Sequence, residues 1–191
     1  MDWYALFVET GKEDFVRTRI RRIFDESELS AIVPKRKLQE RKQGRAYEVC
    51  KTMFPGYVLI KTRMNVNSYY ELKQIPKCYR LLNKYNRMDA RESLLESGMD
   101  AAQESNLFFK IEEQEMALIT QLIDSNATIG YSTVYVENSK VTVCDGPLKG
   151  KEAIIEKIDR RKNRARISVE FMRKRVCFDV GIHVLDMLGV H

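Results

Sequence analysis

The chain has 191 residues, of which 33 are basic and 27 acidic, for a formal net charge of +6. Its 44% hydrophobic and 31% charged content supports a buried core with a wet surface, and no apolar run approaches the ~20 residues a membrane helix needs. The basic balance suits a polyanionic partner, and the length allows either one ordinary domain or a medium domain followed by a small one.

The opening segment WYALFVET is rich in aromatic and β-branched residues and reads as a strand. It lacks the basic start and small-residue cleavage site of a signal peptide, so a cytoplasmic protein with no membrane contact is expected. The period then changes. Thr10 with Glu13 three residues on predicts a capping box, and Val16, Ile20, Ile23 and Phe24 fall on one helical face. Arg17, Arg19, Arg21 and Arg22 lie mostly off that face, as a solvated side or a basic stripe.

Ala31–Val33 is short and strand-like, and Pro34 ends it. Between Lys35 and Arg45 stand Lys35, Arg36, Lys37, Arg41, Lys42 and Arg45 against a single acid, Glu40, with Gln43-Gly44 reading as a hairpin tip. Basic protrusions of this kind grip phosphates. The stretch TMFPGYVLIKT follows, a stiff Phe54-Pro55-Gly56-Tyr57 corner feeding the apolar run Val58–Ile60. NVNSYYELKQIP predicts a short helix with an Asn or Ser cap that ends at Pro76, with Tyr69 or Tyr70, Leu72 and Ile75 inward. KCYRLLN reads as a strand, so the first half predicts an α+β arrangement on an antiparallel sheet.

The polar region Asn83–Lys110 predicts a surface excursion, and KIEEQEMALITQLID a helix opened by Ile111, with Met116, Ile119, Leu122 and Ile123 apolar. SNATIGYSTVYVENS holds one charge and no proline, so it is expected to dock or add a strand rather than swing freely. From Ser139 the period is two. VTVCDG, EAIIEKI, RARISVEF and RVCFDV are strand candidates separated by turns, which predicts a small all-β barrel. Two basic clusters sit at its turns: Arg160, Arg161, Lys162, Arg164 and Arg166, then Arg173, Lys174 and Arg175. The boundaries drawn are residues 1–126 for the first domain, 127–138 for a connector and 139–191 for the barrel.

Cys50, Cys78, Cys144 and Cys177 are scattered beside strand-like residues and form no C-x-x-C pair, which predicts reduced thiols and no metal site. With only His183 and His191 as histidines, and no phosphate-binding glycine loop or nucleophile motif, neither an enzyme nor a cofactor is expected.

Taken in order, the Trp-Tyr strand, the basic hairpin, MFPGYVLIKT, QIPKCYRLL and VTVCDGPLKGKEAIIEKI resemble the NusG family of transcription elongation factors, over nearly the whole chain. Within it, the basic character and the ordered connector look most like the antiterminator branch called LoaP. The sequence departs from the family pattern at Ala153, where the KOW motif carries glycine, and in the length of Asn83–Lys110. The resemblance implies an N-terminal NGN domain that binds the clamp helices of RNA polymerase and a C-terminal KOW β-barrel. Rigid aromatic anchors dock a helical tip at low entropic cost. On this chain the resemblance maps polymerase contact to Tyr4, Phe7, Phe54, Pro55, Tyr57 and Ile75, with Asn67, Ser68 and Tyr69 facing the other side of the cleft. It implies a nucleic-acid partner, RNA in the LoaP branch, or a ribosomal protein or Rho at the barrel in the general factor. The protein is expected to act as a monomer, and a KOW-type RNA-binding scaffold is the third reading.

Overall fold

The computed structural model describes residues 1–81, 108–137 and 140–185. The chain divides into two compact units, one made of Met1–Val33 and Phe54–Glu113, the other of Pro34–Met53 and Gln114–His191. The basic hairpin and the segment from Gln114 both group with the C-terminal half.

In the first unit, β1 (Asp2–Val8) is followed by helix α1 (Glu13–Ile23) and β2 (Leu29–Ile32). After the excursion into the other unit come β5 (Tyr57–Thr62), helix α2 (Val66–Lys73), β6 (Cys78–Leu81) and the two-residue β7 (Lys110–Ile111). The strands form one antiparallel sheet in the order β2-β5-β1-β6, with β7 also on β1. Alternation along β1 sends Tyr4, Leu6 and Val8 to one face, where they pack with Val16 and Ile20 of α1 and Leu72 of α2.

Three local expectations change. Lys12, not Thr10, precedes α1 and makes no side-chain cap. Glu13 is buried instead, and its carboxylate accepts the Gly56 N–H at 2.7 Å, because a buried backbone donor at the corner is the costlier one to leave unpaired. Ile23 is 50% exposed rather than inward. Ile111 pairs with Trp3 as a strand residue, and the third described helix, α3 (Glu113–Leu122), begins two residues later. The cap of α2 is as expected: Asn65 Oδ1 accepts the Ser68 N–H at 2.8 Å. The expected excursion over residues 83–110 lies outside the described residues up to Phe108, whose ring is buried edge-on to Tyr4.

In the second unit, β3 (Lys35–Lys42) and β4 (Arg45–Thr52) form a hairpin in register, joined by Gln43 and Gly44, both at positive φ. The short β8 (Thr128–Ile129) runs parallel to β3. The remaining strands are β9 (Ser132–Glu137), β10 (Lys140–Asp145), β11 (Ile155–Asp159), β12 (Arg164–Phe171) and β13 (Lys174–Leu185). They form a sheet in the order β10-β9-β13-β12-β11. The expected connector therefore supplies β9, whose Ser132, Val134 and Tyr135 pair in parallel with the far end of β13. Ala165, Ile167, Val169 and Phe171 are buried while Arg166 and Glu170 are exposed, as their period of two predicts. Ala153 sits in a single 3-10 turn (Glu152–Ile154), whose backbone does not need the left-handed region, so alanine fits there without strain.

Candidate functional site

The two units each carry a surface that sequence reasoning singled out. In the first unit, the strand pairing lays aromatic rings side by side. Phe7 on β1 stands directly opposite Tyr57 on β5, and their ring centroids are 5.6 Å apart. On the other flank, Tyr79 of β6 brings its ring to 5.5 Å from Phe7, and the Arg80 guanidinium lies 5.9 Å from the same ring. Tyr79 is 53% exposed, and Phe7 and Tyr57 are half-buried, so a row of rings crosses three strands and faces outward.

The corner that feeds this row is fixed from three sides. The Tyr57 N–H donates to the Phe54 carbonyl at 3.1 Å, the Gly56 carbonyl accepts from Val8 N–H at 2.8 Å, and Glu13 holds the Gly56 N–H. Gly56 has φ of +83°, and a Cβ there would lie 3.3 Å from Thr10 Oγ1 and 3.5 Å from the Phe7 ring.

The sequence-derived contact residues separate by burial. Phe7 and Tyr57 are accessible, and Pro55 is exposed. Tyr4, Phe54, Ile75 and Tyr69 are at most 6% exposed and belong to the interior of the unit. They support the surface from below, and burial pushes the Tyr4 phenol up to about 12. Asn67 and Ser68 lie in the first turn of α2 and line a shallow cleft with Ser27, Glu28 and Arg63. Tyr79 was missed because the sequence shows no period there: β1 pairs with β6 through a register shift between Phe7 and Val8, which re-aims the side chains of a four-residue strand.

In the second unit, the basic side chains sort into those fixed within the fold and those facing solvent. Arg36 donates to the Asp179 carbonyl and stacks 5.3 Å from the Phe178 ring. Burial lowers its pKa, with Asp179 opposing that shift, so this is a packed guanidinium and not an outward one. Arg164 donates to the Gln39 carbonyl at 3.2 Å and lies 3.7 Å from Asp179 and 3.8 Å from Glu40. Asn163 completes the contact through Gln39 Oε1 at 3.2 Å. Lys37 pairs with Glu48 at 3.1 Å, and that carboxylate raises the lysine pKa. Arg160 reaches the Val136 carbonyl at 2.8 Å.

The bonds from Asn163 and Arg164 to Gln39 seat β3 against the β11–β12 turn. The cleft between them, about 440 Å³, is lined by Gln39, Glu40, Arg41, Arg161, Lys162 and Arg164. Arg41, Arg161 and Lys162 are exposed there, as are Lys42 and Arg45 at the hairpin end. The acid is compensated: Lys51 bonds Glu40 and holds its carboxyl below the usual range.

The other cluster lies at the β12–β13 turn. Arg175 bonds both Glu156 and Ser168, and Arg166 lies 4.0 Å from Glu156. Glu115 of α3 accepts the N–H groups of Met172 and Arg173 at 3.0 and 2.8 Å, satisfying two donors in a turn whose residues both have positive φ. Among the described residues no group of histidines, cysteines and carboxylates is arranged to hold a metal, and none of the four cysteines is in a disulfide.

A family profile described as "Transcription termination factor nusG" matches residues 1–97, and one described as "KOW motif" matches residues 137–170. The transcription termination/antitermination protein NusG of Rickettsia prowazekii is 25% identical over 186 residues, spanning 95% of this chain and 87% of that protein. The protein of the same name from Escherichia coli is 24% identical over 172 residues, spanning 87% of this chain and 85% of that one. A solved structure titled "Domain interaction in Thermotoga maritima NusG" superposes with a TM-score of 0.51 at 16% identity, over 94% of this chain and 93% of the other, a likeness of fold.

Proposed function

Because the chain belongs to the NusG family of transcription termination and antitermination factors, we propose that it is an elongation factor that binds RNA polymerase through its first unit and suppresses pausing and termination. The observation that carries this reading is the outward row Tyr57–Phe7–Tyr79, whose Tyr57 end follows a corner bonded to Val8 and Glu13. Such rings offer large contact area with few torsions to freeze, which suits docking of the clamp helices. Holding the clamp in one position shifts the population of paused polymerase without any covalent chemistry. No cofactor or metal enters this mechanism. No described helix is long and apolar enough to cross a membrane, and a cytoplasmic monomer remains the expectation.

We assign it to the specialised antiterminator branch, like LoaP, recruited by a leader RNA hairpin. The exposed cations of the second unit support this, since a barrel that recognises a ribosomal protein or Rho has less use for them. The general NusG role is the second reading, favoured by the names of the relatives. Single-round transcription across an intrinsic terminator, with and without a candidate leader RNA, separates the two. Read-through that depends on the leader is the expected result. Leader-independent pausing effects indicate the general factor, and no effect of either kind would sink the antiterminator reading.

A further inference from the structure

In the second unit the sequence presents three basic clusters, and the fold joins two of them while setting the third apart. The hairpin cations and the cations of the β11–β12 turn line one cleft, with Arg41 on one wall and Arg161 and Lys162 on the other. The Arg173–Arg175 cluster lies at the opposite end of β12, whose eight residues put the two turns roughly 23 Å apart at ~3.3 Å per residue. Arg175 is in addition committed to Glu156.

We propose that this cleft is a composite binding site for the phosphodiester backbone of RNA. Arg41, Arg161 and Lys162 make the contacts, and Arg164 is a positioning residue that holds the walls at their spacing. The inference rests on the nucleic-acid part of the proposed function and sharpens it to one location. The physical case is the charge pattern. Four cations face one carboxylate, and that carboxylate is already bonded to Lys51 and lies 3.8 Å from Arg164. A buried cation cannot reach a ligand, but Arg41, Arg161 and Lys162 are exposed and carry no ion pair within the cleft, the nearest being Lys162 with Asp159 at 3.9 Å outside it. The walls come from segments over a hundred residues apart in sequence, tied by Arg164 to Gln39 and Asn163 to Gln39. A chain of phosphates gripped by both walls therefore stabilises their docking, and hairpin and turn respond to RNA together.

The test uses the full chain and a short fluorescein-labelled RNA hairpin, followed by anisotropy between about 50 and 200 mM salt, with a DNA duplex of the same sequence as a second probe. Arg41→Glu and Lys162→Glu should each weaken RNA binding by roughly tenfold at the lower salt and flatten the salt slope by about 0.7 or more. Lys174→Glu, at the far turn, and Lys149→Glu, an exposed lysine in the turn after β10, carry the same charge change and should stay within about twofold. Hydrogen exchange at residues 39–42 and 160–164 should slow together when RNA is added. Loss of binding in Lys174→Glu as large as in the cleft variants overturns the proposal, as does wild-type affinity in Arg41→Glu and Lys162→Glu. Tighter binding to DNA than to RNA overturns the assignment to RNA. Co-purification with polymerase reports separately on the family reading: if wild-type protein binds polymerase but no RNA at any salt, the cleft fails while the elongation-factor assignment stands.

Discussion

At the scale of single residues, the aromatic corner depends on two residues that carry no aromatic character. Gly56 occupies a conformation that costs an L-residue about 1–2 kcal/mol, and its absent Cβ leaves room for Thr10 and the Phe7 ring. Gly56→Ala should therefore lower the melting temperature and displace Tyr57, visible as weaker polymerase binding. Glu13→Ala removes the acceptor for a buried N–H and should cost about 1–3 kcal/mol by thermal or urea unfolding. Glu13→Gln keeps an acceptor oxygen and should cost clearly less. Thiols give an independent check on burial. Burial pushes the Cys78 thiol up to about 11, whereas Cys50 and Cys144 are exposed. Alkylation of the native protein near neutral pH should modify Cys50 and Cys144 first and Cys78 last. The raised Cys78 pKa means that its contribution to stability is complete below about pH 9 and is lost as pH rises through about 11, because only the unfolded chain binds fewer protons in that window.

At the scale of elements, the hairpin β3–β4 is seated on β13 by a backbone approach that no side chain could replace. A Cβ at Gly181 would lie 2.3 Å from the Tyr131 ring and 2.8 Å from the Lys37 carbonyl, and the latter is backbone that must move. Gly181→Ala should therefore destabilise the second unit by about 1–3 kcal/mol and speed hydrogen exchange in residues 35–42. Arg36→Ala should do the same through loss of its bond to the Asp179 carbonyl and its stacking on Phe178. This docking is also what sequence could not disclose. Periodicity exposed the strands themselves: the alternation in Ala165–Phe171 and the Gln43-Gly44 tip lie where expected, since both are set by neighbours in sequence. A run of Lys and Arg, by contrast, looks the same whether a guanidinium is packed, as in Arg36, or solvated, as in Arg41. The difference is made by Asp179 and Phe178, more than a hundred residues away. The aromatic row was half legible for the same reason. Phe7 and Tyr57 follow from alternation on long strands, but Tyr79 needs the register shift beside Val8.

At the scale of the whole molecule, the proposed polymerase surface and the proposed RNA cleft lie on different compact units, so the two activities should be removable one at a time. Tyr57→Ala with Tyr79→Ala takes away two of the three outward rings, both half-buried or more exposed, so the fold of the unit should survive. That variant should lose most of its affinity for polymerase in a pull-down, on the order of the several kcal/mol that clustered aromatic anchors contribute, while its RNA affinity stays that of the wild type. The cleft variant Arg41→Glu with Lys162→Glu should behave in reverse: normal polymerase affinity, weak RNA affinity and a shallower salt slope. In a transcription assay both should fail to read through a terminator at low protein concentration. Only the cleft variant should recover when its concentration is raised, because recruitment by RNA acts by increasing the local concentration of a factor whose polymerase contact is intact. If the aromatic variant recovers equally, the polymerase contact lies elsewhere on the first unit. If the cleft variant never recovers, its cations act on the elongation complex itself and not in recruitment. The concentration dependence of read-through in the two double variants thus separates how the factor arrives from how it acts.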